Sequence, residues 1–276
     1  MDLVIYGMMR SGTTLLADRL TCRPHSLVLT EPNCHLNDWG KHTLEQLKAF
    51  GIEIDERLWD PAQWKDMEHF FCEHIQPRLA QIPFWGVKLA HFEGWARFLD
   101  TYRPTHLVLS VRDIRDVALS CLELERRRPP GKGHDHRWVE DRILHDAKEL
   151  VEMSRREHIR VRYEDLCTDQ ALLPDLAEKL GLPKLGEAGF AIDFFPDRAY
   201  EKQRHGNAGV SSKSVQRYLT EGHGDDLAFA QRVWARCRDY CRQFEYEVAP
   251  RTLAWVPSFL RGRFLGKRRT NRTDEV

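Results

Sequence analysis

Gly7-Met8-Met9-Arg10-Ser11-Gly12-Thr13-Thr14 is the stretch that decides the fold of this chain. It follows the short apolar run 3–6, which has the composition of a buried strand, and it opens the segment 13–20, whose leucines recur at helical spacing. A glycine-rich turn between a strand and a helix lets backbone N–H groups converge, and the helix N-terminus adds partial positive charge. Arg10 adds a fixed cation with a bidentate fork for anionic oxygens. The stretch therefore predicts a phosphate-binding loop.

The two glycines of this loop have the spacing of the P-loop motif GxxxxGK[ST]. Position 13 is Thr where the motif has Lys, and Arg10 lies inside the loop instead. Thr13 and Thr14 supply hydroxyl donors. The pattern indicates a P-loop whose cation comes from within the turn.

The rest of the chain alternates strand-like and helix-like segments. Strand-like runs cover 26–30, 84–89, 105–111 and 159–162, and helical patterns cover 91–102, 113–127, 137–157, 172–180 and 227–244. Strands that alternate with helices favour a parallel sheet covered on both faces. We therefore predict an α/β fold with a P-loop-type central parallel sheet flanked by helices on both faces. We expect one domain over residues 1–276, with a basic and aromatic tail at 255–276.

Composition excludes several classes of protein. The 276 residues include 42 basic and 42 acidic side chains, whereas a general nucleic-acid binder would carry a basic excess. No apolar run approaches the ~18 residues of a membrane span, and the N-terminus lacks the basic region of a signal peptide. The seven cysteines form no CxxC pair, which argues against a zinc ribbon and, in a chain of this size, favours a reducing compartment. We expect a cytoplasmic protein without a metal site.

Arg10-Ser11-Gly12-Thr13-Thr14, placed after a strand, resembles the 5′-phosphosulfate loop of sulfotransferases. Enzymes of that family use 3′-phosphoadenosine 5′-phosphosulfate (PAPS) as the donor and have Lys or Arg at the position of Arg10. The resemblance implies that residues 10–14 bind the donor and that a sulfuryl group moves to an acceptor hydroxyl. It spans residues 3 to about 217.

Later blocks of the chain also resemble this family. Arg112 leaves the strand at 107–111 and Ser120 follows eight residues later, about two helical turns on. The family has an Arg and a Ser at this separation, and both bind the 3′-phosphate of the donor. By the same resemblance Tyr163, in Tyr-Glu-Asp-Leu at 163–166, lies near the adenine. The candidates in the C-terminal loop that closes over the nucleotide are Ser212, Lys213 and Arg217.

Catalysis of an in-line transfer depends mainly on positioning and on cations near the leaving oxygen. Arg10 is one such cation, and Lys88, at the end of a strand, resembles the family's second one. Glu31 lies 21 residues after Arg10, at or near the position of the catalytic Glu in tyrosylprotein and some bacterial carbohydrate sulfotransferases. Cytosolic-type enzymes instead have a catalytic His two residues after the Lys, and His91 lies three residues after Lys88. We expect Glu31 to be the base, with His91 as the alternative and His35 as a third candidate.

Two other functions stay open at this point. A P-loop kinase using MgATP would need Asp113 as a metal ligand, and Thr13 in place of Lys argues against it. A non-catalytic phosphoadenosine-binding protein would keep the donor site without transfer. The acceptor class is also open among sugars, lipids, peptides and small metabolites. The basic stretch 126–134 is either a lid over an anionic or sugar acceptor or a solvated loop, and we favour packing over membrane contact for the tail.

Overall fold

The computed structural model of the chain describes residues 1–37, 43–55, 66–182, 184–185, 214–221 and 224–246. The predicted donor ligands Ser212 and Lys213 lie outside these residues, and so does the basic tail at 255–276.

Five parallel strands form one sheet in the order β2-β3-β1-β4-β5. The strands are β1 (Leu3–Tyr6), β2 (Ser26–Thr30), β3 (Phe84–Leu89), β4 (His106–Val111) and β5 (Ile159–Arg162). β1 to β4 are buried almost throughout, as the continuous apolar runs of a parallel sheet require. All carboxyl ends meet at one edge, and the chain crosses over the central β1 between β3 and β4. Open α/β sheets bind ligands at such a crossing point.

Helices cover both faces of this sheet and confirm the predicted layer order. One face of the sheet packs mainly against helices from the central and C-terminal parts of the chain. The other face packs mainly against the helices at 13–19, 163–168 and 172–180. The helices are α1 (Thr13–Arg19), α2 (Thr43–Ala49), α3 (Met67–Phe70), α4 (Gln76–Leu79), α5 (Trp95–Tyr102), α6 (Ile114–Arg126), α7 (His136–Met153), α8 (Tyr163–Thr168), α9 (Leu172–Leu180), α10 (Arg217–Thr220), α11 (Gly224–Arg236) and α12 (Arg238–Gln243). A π-helical turn, Phe71–Ile75, joins α3 to α4.

Three of the predicted helices have wrong boundaries. The helix expected over 137–157 ends at Met153. The helix expected from residue 91 begins only at Trp95, because Gly94 at its N-terminus adopts a left-handed φ of 71°. The helix expected over 227–244 is instead two helices, α11 and α12, which meet at Cys237. The hydroxyl of Tyr240, in α12, donates to the backbone carbonyl of Arg112 at 2.9 Å and accepts from its N–H at 3.1 Å.

Candidate active site

The loop between β1 and α1 is seated tightly against two neighbours. Gly12 has a φ of 88°, and a Cβ built there would lie 2.3 Å from the ring of Tyr163. A Cβ on Gly7 would lie 2.6 Å from the carbonyl oxygen of Ser110. The hydroxyl of Ser11 donates to the carbonyl of Met8 at 2.8 Å and closes the turn. Both motif glycines are therefore required by close contact, and the loop rests against the ends of β4 and β5.

Arg10 links the loop to α6. Its Nε donates to the hydroxyl of Ser120 at 2.9 Å, across 110 residues of sequence. Its φ of 69° is a conformation that a non-glycine residue adopts at an energetic cost, and such residues cluster at functional sites. The loop residue predicted to bind the 5′ end of the donor thus contacts a residue predicted to bind the 3′-phosphate.

Arg112 fixes the same loop from the end of β4. Its side chain is 4% exposed, and Nη1 donates to the carbonyl of Arg10 at 2.8 Å. Nη2 donates to the carbonyl of Ser214, and the guanidinium lies 4.2 Å from the ring centre of Tyr163. Its Nε is buried and has no hydrogen-bond partner among the residues that the structure describes. A buried guanidinium with an unused donor fits an anionic ligand better than a purely structural role.

Carboxylates in the first turn of α6 hold this cluster in place. Asp113 accepts two hydrogen bonds from the guanidinium of Arg115, at 2.9 and 2.6 Å, and caps the helix at the Arg115 N–H. Asp116 lies 3.9 Å from Arg112 and accepts from the N–H of Tyr218 at 3.1 Å. Burial raises the pKa of Asp116 to about 6, although Arg112 opposes the shift. Asp113 is therefore committed to Arg115 and the helix terminus.

On the other side of β1, Lys88 and Glu31 form an ion pair. Lys88 is 1% exposed and pairs in register with Ile5 and Thr30, whereas the Glu31 side chain is 25% exposed. The Glu31 N–H donates to the Lys88 carbonyl at 2.7 Å, and Glu31 has a left-handed φ of 53°. A buried cation and a partly exposed carboxylate thus meet at the carboxyl edge of the sheet.

The two histidine candidates for the base lie in different surroundings. His91 follows β3 in an irregular segment, is 39% exposed, and has Nδ1 3.9 Å from a carboxylate oxygen of Glu93. His35 is buried against Phe98, and burial with the nearby Arg97 charge lowers its pKa to about 4. His35 is thus held neutral, and the base remains a choice between Glu31 and His91.

Arg217 lies at the start of α10 and is engaged by carboxylates. It donates to Glu221 at 2.7 Å and to Glu123 of α6 at 2.9 Å. Its role in donor binding stays a prediction. Sequence reasoning missed Tyr240, whose hydroxyl binds the backbone of Arg112 and which belongs to no recognisable motif. It also did not choose Ser214, whose carbonyl accepts from Arg112, although Ser214 lies in the candidate C-terminal loop.

The described part of the chain shows neither a metal-binding cluster nor a membrane-spanning helix. No three His, Cys, Asp or Glu side chains of these residues come together as metal ligands. None of the helices described above is long and apolar enough to cross a membrane.

Comparison with known proteins connects this geometry to one family. Residues 2–187 match the model described as "Sulfotransferase family". No curated protein matches the chain. The sulfotransferase domain from the Synechococcus PCC 7002 olefin synthase is 16% identical with a TM-score of 0.54, over 90% of this chain and 95% of that one. The sulfotransferase domain from the curacin biosynthetic pathway is 16% identical with a TM-score of 0.52, over 90% of this chain and 98% of that one. At these identities the two structures show a shared fold.

Proposed function

This chain belongs to the sulfotransferase family, and on that premise we propose that it transfers a sulfuryl group from PAPS to an acceptor hydroxyl. The acceptor oxygen attacks sulfur, the bond from sulfur to the 5′-phosphate oxygen breaks, and 3′-phosphoadenosine 5′-phosphate (PAP) leaves. The proton of the hydroxyl passes to a base on the enzyme.

One observation carries this proposal: Arg10, Ser120 and Arg112 form a single cluster. Arg10 Nε bonds to Ser120 at 2.9 Å, and Arg112 bonds to the Arg10 carbonyl at 2.8 Å. A donor with phosphate groups at both the 5′ and the 3′ position of one nucleoside needs two anion sites side by side. The buried Nε of Arg112 and the ring of Tyr163 beside it suit a 3′-phosphate next to a base.

The Glu31–Lys88 ion pair supplies the other two groups that the reaction needs, a second cation and a base. We assign Lys88 as the cation that stabilises the charge on the leaving oxygen together with Arg10. We assign Glu31 as the base, because its carboxylate is partly exposed while its partner Lys88 is buried. His91 remains the alternative base.

The contacts of Asp113 weigh against the MgATP alternative. A kinase would need this carboxylate as a metal ligand, but both of its oxygens bind Arg115. The non-catalytic alternative would require no carboxylate beside Lys88, so the Glu31–Lys88 pair favours an enzyme.

Calorimetry with PAP and with ATP, each with and without magnesium, tests the donor. We expect PAP to bind tightly without magnesium and ATP to bind at least ~10-fold more weakly, since ATP lacks the 3′-phosphate that Arg112 and Ser120 would hold. The matched variant is Arg10→Met, which should weaken PAP binding, with Arg155→Met, at an exposed position just after α7, as the control. A preference for MgATP would contradict the proposal.

A further inference from the structure

A buried carboxylate lies between the two residues assigned to the 3′-phosphate. Arg112, Asp116 and Ser120 follow one another at intervals of four residues, so Asp116 and Ser120 share one face of α6 and Arg112 lies just before its first turn. The contacts agree with this spacing, since Oδ2 of Asp116 lies 3.9 Å from Nη2 of Arg112. An anion held by Arg112 and Ser120 would therefore have Asp116 as its neighbour.

Asp116 uses one of its two carboxylate oxygens. Oδ1 accepts from the N–H of Tyr218 at 3.1 Å and so ties α10 to α6. Oδ2 is buried and has no hydrogen-bond partner in the described part of the chain, and the same holds for Nε of Arg112. Unsatisfied buried polar atoms are uncommon in folded proteins, and they occur where a site accommodates a ligand or a change of protonation.

The charges around Asp116 support its ionised form poorly. Arg112 is the cation that faces it, at a distance longer than a hydrogen bond. Asp113, from the turn before α6, and Glu164, from α8, add negative charge nearby, and Tyr218 of α10 faces it with its backbone N–H and its phenol. Burial is the main cause that raises the pKa of Asp116 to about 6, and Arg112 opposes that shift. A further negative charge would favour protonation.

The 3′-phosphate of the donor would bring such a charge. A phosphate monoester carries up to two negative charges at neutral pH, so Arg112 would have to serve two anions. Arg115, the next cation along α6, is already bound to Asp113 through hydrogen bonds of 2.9 and 2.6 Å. Like charges that share a buried site do not both stay ionised without cost. The phosphate would receive hydrogen bonds that favour its charged form, whereas Oδ2 of Asp116 receives none from the described residues.

We infer that Asp116 takes up a proton from solvent when the 3′-phosphate binds and returns it when the nucleotide leaves. The inference rests on the proposed function, which supplies the 3′-phosphate, and it adds a residue that acts on donor binding through its charge. The neutral carboxyl group keeps its bond to Tyr218 through Oδ1, so α10 stays attached to α6 while the repulsion is removed.

Calorimetry of PAP binding in two buffers measures this proton. At one pH, two buffers with different ionisation enthalpies give binding enthalpies whose difference counts the protons exchanged with solvent. At pH 7 we expect the uptake by the parent protein to exceed that by Asp116→Asn by about half a proton or more per PAP. The phosphates of PAP contribute alike to both proteins, so the difference belongs to the side chain. Equal uptake by parent and variant would overturn the inference.

Asp146→Asn is the matched control. Asp146 is the other carboxylate in the described part of the chain whose pKa burial raises, in its case to about 7, but it lies on α7 and pairs with Arg142. Its variant should keep the proton uptake of the parent protein. If Asp146→Asn abolishes the uptake instead, the proton goes to Asp146 and the assignment to Asp116 is wrong.

The pH dependence of PAP affinity separates a charge effect from a purely structural one. Between pH 7 and pH 8 we expect the Kd of the parent protein to rise about two- to fivefold, because the proton becomes harder to obtain. The Kd of Asp116→Asn should change much less, since asparagine keeps an oxygen for the Tyr218 N–H but cannot ionise. A variant that weakens PAP binding by the same factor at both pH values would show that Asp116 only orients Arg112.

The two halves of PAP locate the proton without any substitution, so this measurement applies even if Asp116→Asn does not fold. Adenosine 3′-phosphate should bind with proton uptake in the two-buffer experiment. Adenosine 5′-phosphate should bind with clearly less, because only the 3′-phosphate would lie beside Asp116. The same uptake with both nucleotides would contradict the inference.

The outcomes distinguish the inference from the function on which it rests. If PAP binds tightly but parent and Asp116→Asn take up the same number of protons, the inference fails and the donor assignment stands. If PAP does not bind, the proposed function fails and the inference fails with it.

Discussion

The carboxyl edge of the sheet is built differently on the two sides of β1. On the β4 side, Arg10, Ser120 and Arg112 share hydrogen bonds with one another and with the carbonyl of Ser214. On the β3 side, the arrangement centres on the Glu31–Lys88 ion pair, whose carboxylate is partly open to solvent. Many shared hydrogen bonds fix the positions of the groups on the β4 side, whereas on the β3 side a carboxylate that solvent can reach lies beside a buried cation. We expect the β4 side to bind the donor and the β3 side to carry out the transfer, so variants on each side should change different kinetic constants.

Of the four substitutions, Glu31→Gln should lower turnover the most, and it should do so by slowing the transfer rather than by weakening donor binding. An amide cannot take up the proton of the acceptor hydroxyl, so kcat should fall by about 10²–10⁴ while the Kd for PAP changes little. Steady-state kinetics and calorimetry measure the two constants. Because the buried Lys88 loses its anion, the thermal midpoint must be followed as well. Glu53→Gln, at an exposed position, is the control. Near-normal turnover would transfer the role of base to His91.

Lys88→Met should have the second-largest effect, and it too should slow the transfer step. Removal of one cation near the developing charge costs about 10²–10³ in kcat, and methionine keeps most of the side-chain volume in this buried position. Single-turnover kinetics with saturating PAPS isolates the transfer step. The double variant with Glu31→Gln should lose much less than the product of the two single losses, since the residues act as a unit. Fully multiplicative losses would mean that the pair does not work together.

Arg112→Ala should instead weaken the binding of the donor. Loss of charge-assisted hydrogen bonds should weaken PAP by about 10–100-fold. With saturating PAPS, kcat should remain close to that of the parent protein. Arg155→Ala, at an exposed ion pair, serves as the control for lost charge. Unchanged PAP affinity would remove the 3′-phosphate assignment of Arg112.

His91→Ala should have the smallest effect. The side chain is 39% exposed and its carboxylate neighbour Glu93 is 3.9 Å away, so its removal disturbs little packing. We expect kcat to stay far from the ~100-fold loss that removal of a base would cause. A pH–rate profile of the variant gives a second measurement, since loss of the acidic limb, where protonation of a base lowers the rate, would identify His91 as the base after all.

Much of the fold follows from local pattern. The strands at 26–30 and 84–89 have the predicted bounds, because largely apolar runs between turns leave a buried parallel sheet little alternative. The edge strand at 159–162 also has the predicted bounds, although it alternates Ile and Val with Arg. One of the failures also has a local cause. The pattern 91–102 looks helical throughout, but the left-handed Gly94 delays the helix to Trp95. The break at Cys237 has no Gly or Pro to signal it.

The candidate site could be predicted only in parts. Arg10 was predicted from the pattern of the loop, whereas Lys88, Glu31, Arg112 and Ser120 were predicted one by one from the resemblance to sulfotransferases. Their partners depend on tertiary packing: Glu31 meets Lys88 across 57 residues and Arg10 meets Ser120 across 110. Arg217 is a different case. It was predicted as a donor ligand from a loosely matching motif, and its side chain donates hydrogen bonds to Glu123 and Glu221.

The contact between Tyr240 and the backbone of Arg112 limits how early during synthesis this part of the protein can be completed. It joins residues that are 128 positions apart, so it is among the last contacts that a chain emerging from the ribosome can make. Until α12 has been synthesised, the backbone N–H and carbonyl of Arg112 lack the Tyr240 hydroxyl as a hydrogen-bond partner. A nascent chain can therefore complete the sheet before it can complete the site. Donor should protect the finished chain against proteolysis much more than a chain stopped before residue 224.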